Sequence, residues 1–226
     1  MRKLLIAVIV LIGLFVAVDR IALLVAERQA SKTIATTFSL PQRPGVSIHG
    51  FPFLTELVSG NYQQVDVSVN SLVRNGVPVQ NFVAQFSSVH APLRQMLQGG
   101  HGTVSADEAT GTATVPYSAV NQQLPQGVTV SGNGSELKMS GSTTFLGHRV
   151  PFTSAASVAA TGNGIRISPR HVSVDGQAMP ASAIAPLSVT LPVSDLPMHL
   201  RVNSAQPTQA GLQISVSAQN VQVESP

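Results

Sequence analysis

Gln64-Val65-Asp66-Val67-Ser68-Val69 alternates polar and apolar side chains without a break. Successive side chains of a strand point to opposite faces, so a period of two marks a strand with one face buried and one wet. Phe82, Ala84 and Phe86 repeat the pattern. Between them, Asn75-Gly76 separates Leu72-Val73 from Val77-Val79, and Asp175-Gly176 follows His171-Val172-Ser173-Val174. Both pairs are two-residue hairpin signals, because their residues tolerate the positive φ that tight turns need. The rhythm of short strands and turns continues over 103–106, 112–116, 128–131, 135–146, 150–160, 165–168, 187–193, 198–204, 212–218 and 221–223, with Gly132-Asn133-Gly134-Ser135 as one of the turns. Asp107-Glu108 lies between two of these stretches and reads as an exposed hairpin tip.

Composition supports a β-rich chain and removes several functions. Charged residues make up 10% of the 226, so the polar surface is mostly hydroxyl and amide. From Asp19 onward eleven basic residues face ten acidic ones, and Trp is absent. Without a basic cluster or stacking surface there is no footprint for nucleic acid. The lack of cysteine excludes disulfides, thiolate metal sites and a Cys nucleophile. His49, His90, His101, His148, His171 and His199 are scattered, with no i, i+4 pair for a metal, and no Walker loop, GxSxG or HExxH stands in the chain. The expectation is a protein with no metal, no cofactor and no enzymatic activity.

The N-terminus sets the compartment. Arg2-Lys3 precedes fifteen uncharged residues, Leu4 to Val18, which end at Asp19-Arg20. This has the build of a signal sequence or a signal anchor. Fifteen helical residues rise about 22 Å, short of the roughly 30 Å hydrocarbon core, although Ile21 to Ala26 could extend the stretch into a transmembrane helix. A cleavable signal and an uncleaved anchor both fit, and no good small-x-small cleavage site follows. Residues 1–18 are therefore taken as signal or anchor, exporting a single β-rich domain, 19–226, to a periplasm-like envelope space at the cytoplasmic membrane. Ile21, Leu24, Val25, Ile34 and Phe38 fall near helical spacing, which predicts an amphipathic helix over about 20–38, ended by Pro41 and Pro44. Ala91–Leu97 and Tyr117–Leu124 each read as one or two helical turns beside a proline. The predicted architecture is α+β and β-dominated, with a long antiparallel sheet wrapped against the N-terminal helix.

Val46-Ser47-Ile48-His49-Gly50-Phe51-Pro52-Phe53-Leu54-Thr55, closed by Gly60, stands out for its density of rigid apolar groups. Gly50 permits a turn other residues resist, Pro52 fixes the chain, and Phe51 and Phe53 are then held with little entropy to lose. Two readings are open: a core plug at the start of the sheet, or the mouth of an apolar ligand cavity.

The Gly50-Phe51-Pro52-Phe53-Leu54-Thr55 motif with Gly60, the Val65-Asp66-Val67 strand, Val115-Pro116-Tyr117, and the segment from Leu196-Pro197 to Gly211-Leu212 together resemble the LmeA-like family of actinobacterial cell-envelope proteins. The resemblance spans essentially the whole chain, and its most specific part is the motif at 50–55. It implies a tubular-lipid-binding type of fold, in which a highly curved antiparallel sheet wraps a long helix and encloses an apolar groove for phospholipid chains. It implies no catalytic residue. Candidate lining residues for phospholipid or another lipid are Phe51, Phe53, Leu54, Phe82, Phe86, Leu93, Met96, Leu97, Phe145 and Phe152. The expected function is non-enzymatic lipid binding or transfer supporting envelope maintenance. The alternative is a structural or interaction protein of an envelope complex with a solid core and no ligand. A hydrolase with dispersed catalytic residues is a third class, for which the chain offers no constellation.

Overall fold

A computed structural model describes residues 2–74, 76–91, 103–145, 148–161, 164–170, 172–174, 177–178, 187–192 and 200–224. The chain opens with one unbroken helix, α1 (Arg2–Thr37), in which the apolar run and the following segment are continuous. There follow β1 (Gly45–His49), the short helix α2 (Phe53–Ser59), β2 (Asn61–Arg74), β3 (Val77–His90), β4 (Thr103–Val115) and α3 (Tyr117–Gln122). The rest is strand: β5 (Thr129–Asn133), β6 (Glu136–Phe145), β7 (His148–Ala160), β8 (Gly164–Pro169), β9 (Ser173–Val174), β10 (Gln177–Ala178), β11 (Val189–Pro192), β12 (Arg201–Pro207) and β13 (Leu212–Glu224).

The class is α+β, with 54% of residues in strands. One sheet has the order β1-β2-β3-β4-β13-β12 and a second β11-β8-β7-β6-β5, with β9 and β10 paired apart. The sheets curl without closing. Left-handed residues stand within the long strands: Asn81 and Ser88 in β3, and Asn220 in β13, where two separate strands were expected. The expected tip at Asp107-Glu108 is instead the middle of β4. Ala106 and Ala109 are buried on either side, which holds the segment within the sheet. The turn at Gly134, with φ 66°, joins β5 to β6 as the sequence suggests. The Asp175-Gly176 turn, Asn75 and the helical turn expected at Ala91–Leu97 lie outside the described residues, apart from Ala91.

Contacts divide the chain into two compact units. The first comprises residues 1–69, 83–110 and 218–226, and the second 70–82 and 111–217, so that β2 and β3 supply stretches to both. In the second unit Leu137 and Met139 of β6, Phe152 of β7, and Ile165 and Ile167 of β8 alternate inward to meet Val130, Val202 and Leu212. Gly141 lies opposite Phe152 in the register, and a Cβ there would meet the ring at 3.1 Å, so the glycine makes room for the phenylalanine. The Asn121 side chain donates to the Val130 carbonyl at 3.1 Å and accepts its N–H at 2.7 Å, clamping α3 to β5. The Tyr117 hydroxyl donates to the Thr208 carbonyl at 2.8 Å, and Gly211 backs onto the Val115 carbonyl so closely that a side chain would collide. Val115-Pro116-Tyr117 and Gly211-Leu212, far apart in sequence, are thus one junction.

Replacing Leu137, 1% exposed, by Ala should cost about 2–5 kcal/mol, because the surrounding strands cannot close over the cavity. Replacing the exposed Val58 by Ala should leave stability within about 0.5 kcal/mol. Denaturant midpoints of the two variants check this.

Candidate functional site

In the first unit α1 turns an unexpected stripe inward. Asp19 and Leu23 are buried, with Ala22, Ala26 and Ala30 half-buried beside them, while Ile21, Leu24, Val25 and Phe38 are exposed. Four of the five large apolar residues expected to pack against the sheet therefore point away from it, and the fifth, Ile34, is half-buried. The cause is hydrogen bonding along the helix. Asp19 Oδ1 accepts the Leu54 N–H at 2.8 Å, Glu27 Oε1 accepts the Ile48 N–H at 3.0 Å, and the Ser31 hydroxyl donates to the Pro44 carbonyl at 2.6 Å. The returning chain, residues 44–54, is stitched antiparallel along the helix, and small alanines let its backbone come close.

The motif at 50–55 is the far end of that stitch. Gly50 has φ 150°, a backbone conformation that side-chain-bearing residues rarely adopt, and the Glu56 carboxylate lies where a Cβ would stand. Pro52 caps α2, and its carbonyl accepts from the Thr55 amide at 3.2 Å and the Thr55 hydroxyl at 2.7 Å. Gly60, left-handed with φ 74°, ends the helix by donating its N–H to the Glu56 carbonyl at 2.8 Å. The spacing from Pro52 to Gly60 is thus one short helix with its start and stop signals. Phe53 is 1% exposed and packs on Leu23, Val89, Ala106 and the Tyr62 ring, whose centroid is 6.3 Å away. Phe51 points the other way, with the Arg20 guanidinium 5.0 Å over its ring.

Asp19 Oδ2, Glu56 Oε2 and the Tyr62 hydroxyl are buried without hydrogen-bond partners. Burial raises the Glu56 carboxyl above its ordinary value of 4.5, the Asp19 charge adds to this, and the Gln63 backbone N–H opposes it. Tyr62 is pushed up to about 12, by burial first and then by the Glu56 charge. Glu56 and Tyr62 therefore share a poorly hydrated corner that favours their protonated forms. The corner has no nucleophile beside a base. Among the described residues no group of three His, Asp or Glu could hold a metal. His49 Nε2 and Asp66 Oδ2 pair at 2.9 Å on the exposed surface. A cleft of about 390 Å³ lies over β2, β3 and β4, lined by Asn61, Tyr62, Gln63, Ser88, Val89, His90, Ser105 and Asp107. Its accessible lining is about equally polar and apolar.

A family model for LmeA-like phospholipid-binding proteins matches residues 17–217. The chain belongs to the LmeA-like phospholipid-binding family. Membership points to lipid binding, in a family of binding proteins rather than enzymes. The LmeA-like match begins two residues before Asp19, so it takes in the stitched part of α1 and leaves the first sixteen residues out. No curated protein and no solved structure matches the chain.

The candidate lining residues of this LmeA-like chain fall into distinct settings. Phe53 is core, and Phe86 is half-buried against the same cluster. Leu54 and Phe82 are half-buried, and Phe51 is exposed. Phe152 is buried in the core of the second unit. Leu93, Met96 and Leu97 lie outside the described residues, as does the side chain of Phe145. None of the six described candidates lines the cleft over β2 to β4. Sequence reasoning missed the roles of Asp19, Glu56 and Tyr62. The available signal was an aspartate interrupting an otherwise apolar helix, which signifies an inward partner when the neighbouring residues are apolar.

Phe53→Ala should cost about 3–5 kcal/mol, and Phe51→Ala much less, in paired thermal melts. Equal losses would mean that Phe51 is packed too. The raised folded value of Glu56 means that its stabilising contribution is complete below about 4.5, its unfolded value, and is lost as pH rises through the folded value. Glu56→Gln, which keeps a neutral side chain at every pH, should flatten the fall of melting temperature above pH 4.5 and melt higher than the parent at neutral pH. Parallel curves for variant and parent would contradict this.

Proposed function

We propose that the protein binds phospholipid, or a lipid of similar amphipathic build, at the outer side of the cytoplasmic membrane, without chemically converting it. The observation that carries this reading is the family match, which covers nearly the whole β-rich chain from residue 17 to 217. Helix α1, within which the match begins, is long and apolar enough to cross a membrane, and only 6% of its most apolar window is buried in the protein. That supports α1 as a retained tether with the body in the cell-envelope space. Transfer of the bound lipid to other envelope sites is the use such a tethered carrier would serve.

Acyl chains need apolar lining and no charged anchor, since each methylene removed from water contributes about 0.8 kcal/mol. Of the candidate lining residues, Leu54, Phe82 and Phe86 keep part of their apolar surface uncovered by protein and are the better placed to meet a chain. Phe53 and Phe152 act through the packing of their own clusters.

A form lacking residues 1–18 retains Asp19, Leu23 and the stitched helix, and removes lipid carried merely by the tether. It should be soluble and folded. Native mass spectrometry and organic extraction of this form should recover phospholipid that is released on unfolding. A folded protein free of lipid would instead fit an envelope interaction protein with a solid core.

A further inference from the structure

The charges that end the apolar run in the sequence do not interrupt it in space. Asp19 is wholly buried and bonded to the Leu54 amide, and Arg20 lies along the Phe51 ring. The outer face of α1 therefore continues from Leu11, Leu14 and Val18 through Ile21 to Val25, with Ile21 61% and Val25 59% exposed. These positions recur every three or four residues and form one stripe. Leu4 to Val25 spans about 33 Å of helix, enough for a hydrocarbon core of about 30 Å, whereas Leu4 to Val18 is not. The next positions on the same face are Arg28 and Lys32, both exposed cations. Apolar surface giving way to basic side chains within one turn is the profile of a helix leaving hydrocarbon and entering a phosphate headgroup layer. Phe51 is 56% exposed and tied to Arg20, about two helical turns before Arg28, so its ring lies on the apolar side of that boundary, toward which the long Arg20 side chain can extend.

We propose that the first unit docks on the bilayer through the outer face of α1 at Ile21, Leu24 and Val25 together with Phe51, placing the hydrocarbon boundary between Val25 and Arg28. The occupant of this face is the phospholipid bilayer itself. The motif at 50–55 then has two outputs: Phe53 anchors the core, and Phe51 sets the protein on the membrane. The proposal rests on α1 being a retained span.

The absence of native cysteine allows a direct test on the full chain. Leu11→Cys, Val25→Cys, Phe51→Cys and Thr36→Cys are labelled singly with a nitrobenzoxadiazole probe. Each is reconstituted in phosphatidylcholine vesicles with a minority of phosphatidylglycerol, with nitroxide-labelled lipids as depth-selective quenchers. Expected are blue-shifted emission at Val25, quenched by shallow nitroxides, and at Phe51, quenched by nitroxides of intermediate depth, with quenching at Leu11 by deep ones and water-like emission at Thr36. Water-like emission at Val25 or Phe51 while Leu11 remains in lipid overturns the docking and leaves the span intact. Water-like emission at Leu11 as well overturns the span, and the docking with it.

Discussion

The Asp19 carboxylate, buried in the middle of a long helix, accepts the backbone N–H of Leu54. Losing that donor while the carboxylate stays buried would cost on the order of several kcal/mol, so the burial of Asp19 and its bond to Leu54 hold together. The bond therefore fixes which face of α1 meets the protein. It also fixes where the returning chain stops, because Leu54 belongs to α2 and the bond places the start of that short helix against α1. Glu27 and Ser31 repeat the same logic toward the C-terminal end of α1, each with a backbone group of residues 44–48.

Several features follow from that rotation. Small alanines fall under the returning backbone and large aliphatic residues fall outside. Gly50 supplies the φ of 150° that other residues rarely adopt, with the Glu56 carboxylate lying against it. Phe53 then drops between Leu23 and Tyr62 and closes the cluster from which β2, β3 and β4 continue. Burial of the acids beside Tyr62 raises the cost of ionising Glu56, so the same contact that orders the turn also makes its stability sensitive to pH.

The lipid-binding character of the family and the apolar N-terminal helix agree physically. A carrier for insoluble chains gains from being held where its cargo is, and a motif that divides its two phenylalanines between core and surface can serve both stability and placement. The second unit has its own closed cluster and its own sequence-distant junction at Val115, Tyr117 and Gly211.

Much of this was legible in the sequence. Period-two alternation at 64–69 and 82–86 marked β2 and β3, glycine-containing turns marked chain reversals, and the apolar run marked a helix able to reach a membrane, because each of these is a local property of a few consecutive side chains. The 50–55 motif could be singled out for the same reason, since glycine and proline constrain their own backbones. What the sequence could not determine was direction: which face of α1 packs, which phenylalanine of the motif is buried, and that Asp107-Glu108 lies within a strand. Those outcomes depend on partners remote in the chain, such as Leu54 for Asp19 and Tyr62 for Phe53, and only tertiary structure brings a donor to a buried carboxylate or a second ring to the first.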